Sequence, residues 1–584
     1  MNASAHNVRE ELSRRGFLVL AGSGLGVAGS VYLGGSAASA HPDAIHVRDF
    51  GAVPDDGIDD TAALRAALAA AITRGRPTTV LFDAGTYQLT PDPDGGASLP
   101  ISGAVGLTLV GAVGADGRPS TRLVGGLPLA NDIAPATQFT LTDCQGLTIK
   151  NFVLDYSPRA TSSGEVVSVD PGADEVVVDV FENSTHFDGM RCYSANSWDL
   201  ATRRLNRVMP LTIGTNPEQF ANLWHSVAGG AGRRYRISGH GFSDRVVPGD
   251  GVSWHLNVVG GSYNIFALGC RDLEIENLRI HNAVGVGMLA GYGHNVTLNK
   301  VVVEPVGDLA VGPRDAIHLS NSTGTMSVTD CYIKGVRWDP LVSRSSFLRV
   351  TDAGDGRVIT VAPVSAGSRA LPFAAGDELT FWAGAQPSAA SVVEASPLDE
   401  EGTAFRIRLS SDLPSDAAVG TLLSSAGHEW AAASLTGTTI EDNIGTALVF
   451  MNRNLRVQGC RFANNAYHDI GLGTTSAGTG SFARDVDIRG NRFEGSGWVQ
   501  KYSKHARTGA ILTFANNGAF TNQPYNSGIT IRANSFTDLE TEEFQTGIYL
   551  RNARDVTVRN NRYVDVAQRV EVDATSTQDI DVRD

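Results

Sequence analysis

The sequence predicts an all-β chain wound as a right-handed parallel β-helix, with an N-terminal capping helix and two inserted small β-barrel or sandwich domains. Three observations predict it. Short alternating strands recur along the chain, each followed by Asn or Gly and then a second apolar pair. Their steps run from 23 residues (Leu273 to Val296) to 31 (Leu455 to Val486), as expected of stacked coils with loops of variable length. One stretch near the start, Ala62 to Ile72, reads as a helix. Two stretches, 158–262 and 346–428, break the repeat with longer strand-and-turn patterns.

The first 40 residues read as an address. Ser13-Arg14-Arg15-Gly16-Phe17-Leu18 is a twin-arginine signature, Val19 to Leu33 is apolar and glycine-rich, and Ala38-Ser39-Ala40 fits a small-residue cleavage site. The expectation is secretion with a mature start near His41 and no membrane anchor, because the apolar run is short.

Residues 41–157 are expected to hold the cap and the first coils. Asp49-Phe50-Gly51-Ala52 and the acidic run from Asp55 to Asp60 lead into the helix, whose start the helix dipole favours for carboxylates. Phe82, Gly85 and Tyr87 follow in short strands. This order resembles the N-terminal entry of pectate-lyase-like β-helix proteins, where it implies a helix closing the open end of the coil.

Coils are expected over 263–345 and 429–584. Asp272 to Leu278, Asn295 to Val301, Asn454 to Cys460, Asp485 to Asn491, Gly528 to Asn534 and Asp555 to Asn561 share one pattern. Alternation sends one set of side chains inward, and Asn or Gly makes the corner. Five cysteines in 584 residues make no disulfide framework. Cys331 and Cys460 each stand three residues after an inward valine and are expected to be buried thiols. The insertions show Glu165 to Val169, Glu175 to Val180, Arg357 to Val361 and Phe405 to Leu409 as antiparallel strand signals. The second starts just after Trp338-Asp339, so the sequence suggests a barrel walling that point.

Arg314-Asp315-Ala316-Ile317-His318 is answered by Arg337-Trp338-Asp339-Pro340. Asp315 and Asp339 are 24 residues apart, about one coil. Strands on neighbouring coils lie about 4.8 Å apart, and two carboxylates that close can divide the roles of general acid and base. Each is equally a turn residue by type, and spacing alone favours that reading. Around them, Arg314 and Arg344 could hold sugar hydroxyls or a substrate carboxylate, or be solvated. His318 could bond substrate or stack on the helix exterior. Trp338 could be a sugar platform or a packed turn aromatic. His281 and Asp155, on earlier coils, are weighed as further substrate contacts, while His468-Asp469 reads as structural. A net charge of −15 argues against nucleic acid and anionic membranes as partners. No His/Cys set has zinc spacing and no Asp-rich loop has calcium-site spacing, so no metal or cofactor is expected.

Most of the mature chain resembles family 110 glycoside hydrolases, β-helix α-galactosidases acting on terminal α-1,3-linked galactose. The resemblance rests on Asn151-Phe152-Val153-Leu154-Asp155-Tyr156, the insertion after it, the Asp315 strand, the Trp338-Asp339-Pro340 turn, Gly376-Asp377-Glu378 and the last coils. It implies a carbohydrate substrate and inverting hydrolysis, with Asp315 and Asp339 at the family's two carboxylate positions. Asp315 is then expected to protonate the glycosidic oxygen and Asp339 to activate water. The chain departs from the family at the turn, where Trp338 replaces a first aspartate and Leu341 to Ser345 replace a polar Asn-x-His-Gly tail. A polysaccharide lyase and a non-catalytic carbohydrate-binding β-helix are the rival classes. The export reading has a direct test: Arg14→Lys with Arg15→Lys is expected to hold precursor inside the cell, scored by fractionation.

Overall fold

The computed structural model describes residues 44–92, 96–210, 222–256, 261–365, 368–475, 478–500, 507–516, 518–520 and 522–584. The expected signal segment, 1–40, lies outside them. The chain is a parallel β-helix. Each full coil gives one strand to an 11-stranded parallel sheet and one or two strands to a 22-stranded parallel sheet. The larger sheet consists of two ladders, joined where Gln145–Ser157 and Arg271–Ile280 run through both.

Register makes the core. Leu273 pairs with Val296, Val296 with Met326, Met326 with Ala433 and Ala433 with Leu455. Each inward side chain therefore rests on its counterpart one coil away, and these residues are buried. Aromatic rings do the same in the later coils. Phe462, Phe493, Phe536 and Tyr563 stack with centroids 5.2, 4.8 and 5.1 Å apart and near-parallel planes. Corners are stacked too: Asn454, Asp485, Gly528 and Asp555 occupy equivalent positions, each with φ between 53° and 66°. That left-handed conformation is tolerated by Gly, Asn and Asp and resisted by other residues, which is why the sequence repeats those types there. Asn491, Asn534 and Asn561 form a ladder in which each Nδ2 donates to the next Oδ1 at 3.0 Å. All five cysteines are free and buried; the Cys460 thiol donates to the Leu435 carbonyl.

The helix spans Thr61–Thr73 and buries Leu64, Ala67, Leu68 and Ala71 into the same core as the first coils. Arg65 ties it to the carbonyls of Ala97 and Ser98. The acidic run leads into it as expected, and Asp59 Oδ1 accepts the Thr61 backbone N–H at 3.1 Å. Asp60 accepts from the backbone of Val53 and Gln88, so its carboxylate fastens neighbouring loops.

The first insertion is an eight-stranded antiparallel sheet within Thr161–His255, and the second closes into a six-stranded barrel within Leu348–Ser425. They leave the coil at opposite ends of the 11-stranded sheet. The first departs before Tyr263–Leu268, at the corner leading into the sheet, and the second departs after Leu341–Arg344. Asp315 and Asp339 stand at the leading corner, so the first insertion covers that end and the barrel borders the far one. An arm of the first insertion runs down the leading corner. Arg203 donates to the Asp308 carbonyl, the Leu205 backbone bonds Asp442 and Asn464, and Arg207 reaches Asn464, Asp538 and Thr541. Trp198, Leu205, Leu309, Ile444, Tyr467 and Trp498 seal it with an apolar cluster.

Phe493→Ala interrupts the ring stack at a fully buried position. The expected cost is about 3–5 kcal/mol, read as a lower denaturant midpoint with the remaining strands retained in circular dichroism.

Candidate functional site

Two short strands position the site. Ile317–Ser320 and Leu341–Arg344 are neighbours in the 11-stranded sheet, with Ile317 opposite Leu341. That register puts Asp315 and Asp339 at equivalent places on adjacent coils, immediately before the strands. Ile317 and Leu319 point into the core, which turns His318 to the outer face, and Arg344 emerges on the same face one coil later.

Asp315 and Asp339 are 4% and 9% exposed. His318 donates from Nδ1 to Asp315 Oδ2 at 2.6 Å, and its Nε2 accepts from Arg344 Nε at 2.9 Å. The tautomer follows from the partners. Arginine is a donor only, so Nε2 carries no proton and Nδ1 must. His318 is thus a neutral ring whose single proton faces Asp315. Burial depresses the His318 pKa, the Asp315 hydrogen bond opposes that, and the Arg344 charge adds to it. For Asp315, burial pushes the carboxyl up. The His318 hydrogen bond, then the Arg314 charge and the Asp339 backbone, outweigh it and hold the carboxyl below the usual range. Asp339 Oδ1 accepts the Thr446 backbone N–H, on the following coil, at 2.8 Å. Gly445 permits this approach, since a Cβ there would lie 2.1 Å from the Trp338 carbonyl oxygen. Trp338 itself is half-buried.

The first insertion brings residues that the sequence did not single out. Tyr193 is buried between two arginines: burial pushes its hydroxyl up to about 12 against the pull of Arg314 and Arg337. Arg337 is buried as well, and burial lowers it to about 9. His255 is pushed well below its usual range by burial and by Arg337. No spacing rule links Tyr193 or His255 to a turn more than 80 residues downstream; only the Arg337-Trp338-Asp339 turn carried a signal.

Asp155 and His281 form a cluster of their own at the same corner. Leu154 pairs with Ile280, which brings His281 Nδ1 to 3.9 Å from Asp155. Asp155 is held by Arg159 at 2.8 Å and Arg122 at 3.1 Å, and burial lowers His281 to about 4. Arg159 also donates to the Val306 carbonyl, so the cluster anchors the root of the first insertion. Asp155 is thus the ion-pair partner of two arginines, while His281 beside it is a buried neutral ring with no hydrogen bond to either nitrogen. Asp469 is fully buried, bonded to Asn465 and pushed up to about 8 by burial, in keeping with a structural reading of His468-Asp469. Among the described residues, no group of three or more His, Cys, Asp or Glu side chains is arranged to hold a metal ion.

The chain is a coil of parallel sheets with two buried aspartates at one corner. Residues 44–185 match the family model "Rhamnogalacturonase A/epimerase, pectate lyase-like". Over most of its length the chain is similar to alpha-1,3-galactosidase A of Streptomyces avermitilis: 24% identical over 541 residues, 85% of this chain and 78% of that one. It is 22% identical to alpha-1,3-galactosidase A of Bacteroides fragilis over 54% of each chain. Among solved structures, the A-module of mannuronan C-5 epimerase AlgE4 from Azotobacter vinelandii aligns over 91% of this chain and 98% of that one, with a TM-score of 0.41 and 14% identity.

The Arg344–His318–Asp315 chain makes a pH prediction. Asp315 titrates below its unfolded value of about 3.9, so its contribution to stability is full above that pH and lost as pH falls through the folded value. His318→Gln removes the largest opposing hydrogen bond. The Asp315 pKa is expected to rise, read by carboxyl carbon NMR, and the acid-unfolding midpoint to move to higher pH.

Proposed function

We propose that the protein is an exported glycoside hydrolase, exo-acting and inverting, that releases terminal α-linked galactose or a related sugar. The observation that carries this reading is the stacked pair Asp315 and Asp339, one of them kept ionised by a neutral histidine. Similarity to alpha-1,3-galactosidases over most of the chain supports the reaction class and the sugar.

The hydrogen bonds support a division of labour opposite to the one expected from sequence. A general acid must hold a proton before the reaction, and His318 opposes protonation of Asp315. Asp315 is therefore the base that takes a proton from the attacking water. Asp339 is the acid that protonates the departing oxygen. Inversion needs the carboxyl groups roughly 6.5–9.5 Å apart, so that water fits between base and sugar. Stacked coils alone would bring them closer. Two bonds favour the wider arrangement: Asp315 leans along its own strand to His318, and Asp339 is drawn to Thr446 on the coil beyond. Trp338, beside the acid, is a platform for the sugar face.

Asp→Asn keeps size and removes proton transfer, so each variant is expected to lower kcat by roughly 10²–10⁴. Asp339→Asn should be least damaging on a nitrophenyl glycoside, whose leaving group needs no acid. Asp315→Asn should slow all substrates alike, with azide restoring part of the rate and giving the β-glycosyl azide. Near-normal rates in both variants would overturn the assignment. An unsaturated, ultraviolet-absorbing product would make the protein a lyase, and binding without turnover a carbohydrate-binding β-helix.

A further inference from the structure

The corner carries more positive charge than its carboxylates balance. Arg314 and Arg344 both act on Asp315, and Arg337 shares Tyr193 with Arg314. His318 is neutral by its hydrogen bonds. Two guanidinium groups therefore act on Asp315, and it is the only ionised carboxylate of the pair once Asp339 holds the proton it donates. The formal net charge of −15 does not cancel this. Exposed charges farther off than about 8 Å are largely screened at physiological ionic strength, so the arginines at the corner set the local field.

Arg314 and Arg344 have donors to spare. Arg314 Nε is buried with no hydrogen-bond partner, and its guanidinium makes no side-chain ion pair among the described residues. Buried donors are nearly always satisfied, and an arginine fork is shaped for an oxyanion. Arg344 spends Nε on His318 and leaves its two terminal nitrogens for the outer face of the sheet. Arg314 precedes Asp315 at the corner and Arg344 follows it on the sheet face, so a group held by both lies across Asp315, where the sugar must sit.

We propose that Arg314 and Arg344 bind an anionic substituent on the sugar in this site, a carboxylate or a sulfate ester, so that the substrate class is an acidic galacto-configured glycoside. This rests on the hydrolase reading and narrows its sugar. It also gives a reason for the chain's departures at the turn. An aspartate at 338 would repel such a group, and Arg344 brings a permanent positive charge to the stretch where the resembling family has a polar Asn-x-His-Gly tail.

The test compares nitrophenyl α-galactoside, α-galacturonide and 6-sulfo-α-galactoside with the mature full-length protein. One acidic substrate is expected to have a kcat/KM at least tenfold above that of the neutral one, and the better arm distinguishes carboxylate from sulfate. Its KM should rise with sodium chloride, and Arg314→Gln should raise it by about ten- to a hundredfold, the worth of a charge-assisted bond. A preference for the neutral galactoside overturns the proposal and leaves the hydrolase standing. If none of the three is cleaved, binding decides. Calorimetric titration with galacturonate and galactose 6-sulfate against galactose supports the proposal when an acidic sugar binds more tightly, and overturns it when both bind no better than galactose.

Discussion

Everything in this molecule depends on in-register pairing between successive coils. A parallel ladder fixes which residue lies over which, because a shift of one residue would turn every inward side chain outward. Rows of Leu, Ile and Val, the Phe462 to Tyr563 ring stack and the Asn491–Asn534–Asn561 ladder are consequences of that rule. So is the site. Asp315 and Asp339 are neighbours because Ile317 and Leu341 are paired, and His318 and Arg344 share a face because their strands alternate in phase.

The same register explains how a single corner can hold a line of buried polar groups. Apolar residues inside the coil give the strands a rigid base. Side chains just before a strand then project from a scaffold whose spacing does not vary. Polarisation runs along one line, from Arg344 through His318 to Asp315, and each member is locked by the donor rules of its neighbour. The first insertion brings buried Tyr193 within the electrostatic reach of Arg314 and Arg337, and buried His255 within that of Arg337.

What was legible in the sequence is what repeats. Alternating strands, Asn and Gly corners, buried Cys331 and Cys460, the lone helix and the two interruptions all carry a local period or a break in one. The 24-residue spacing of the aspartates belongs to the same class of signal. The rest was not legible, for two physical reasons. Contacts such as Tyr193 with Arg314, or Arg207 with Asp538, join segments with no common period. Roles also depend on hydrogen-bond direction: nothing in the order Asp315, His318, Arg344 says that the ring gives its proton to the carboxylate. Asp155 and His281 were legible as neighbours at this corner, but the arginines that hold the carboxylate, Arg122 and Arg159, were not.

The arm of the first insertion changes what kind of object the β-helix is. A solenoid is close to one-dimensional, each repeat touching only the next, so its ends can loosen one coil at a time. Here one segment bridges the coil of Asp308, those of Asp442 and Asn464, and the coil of Asp538. That brace couples coils that never touch one another. The coils up to that of Asp538 cannot separate without breaking the arm's bonds, and the arm cannot lift from the leading corner without breaking its bonds to those coils. Cooperativity therefore extends past nearest neighbours, and the integrity of the carboxylate corner is shared with turns more than 200 residues downstream of it.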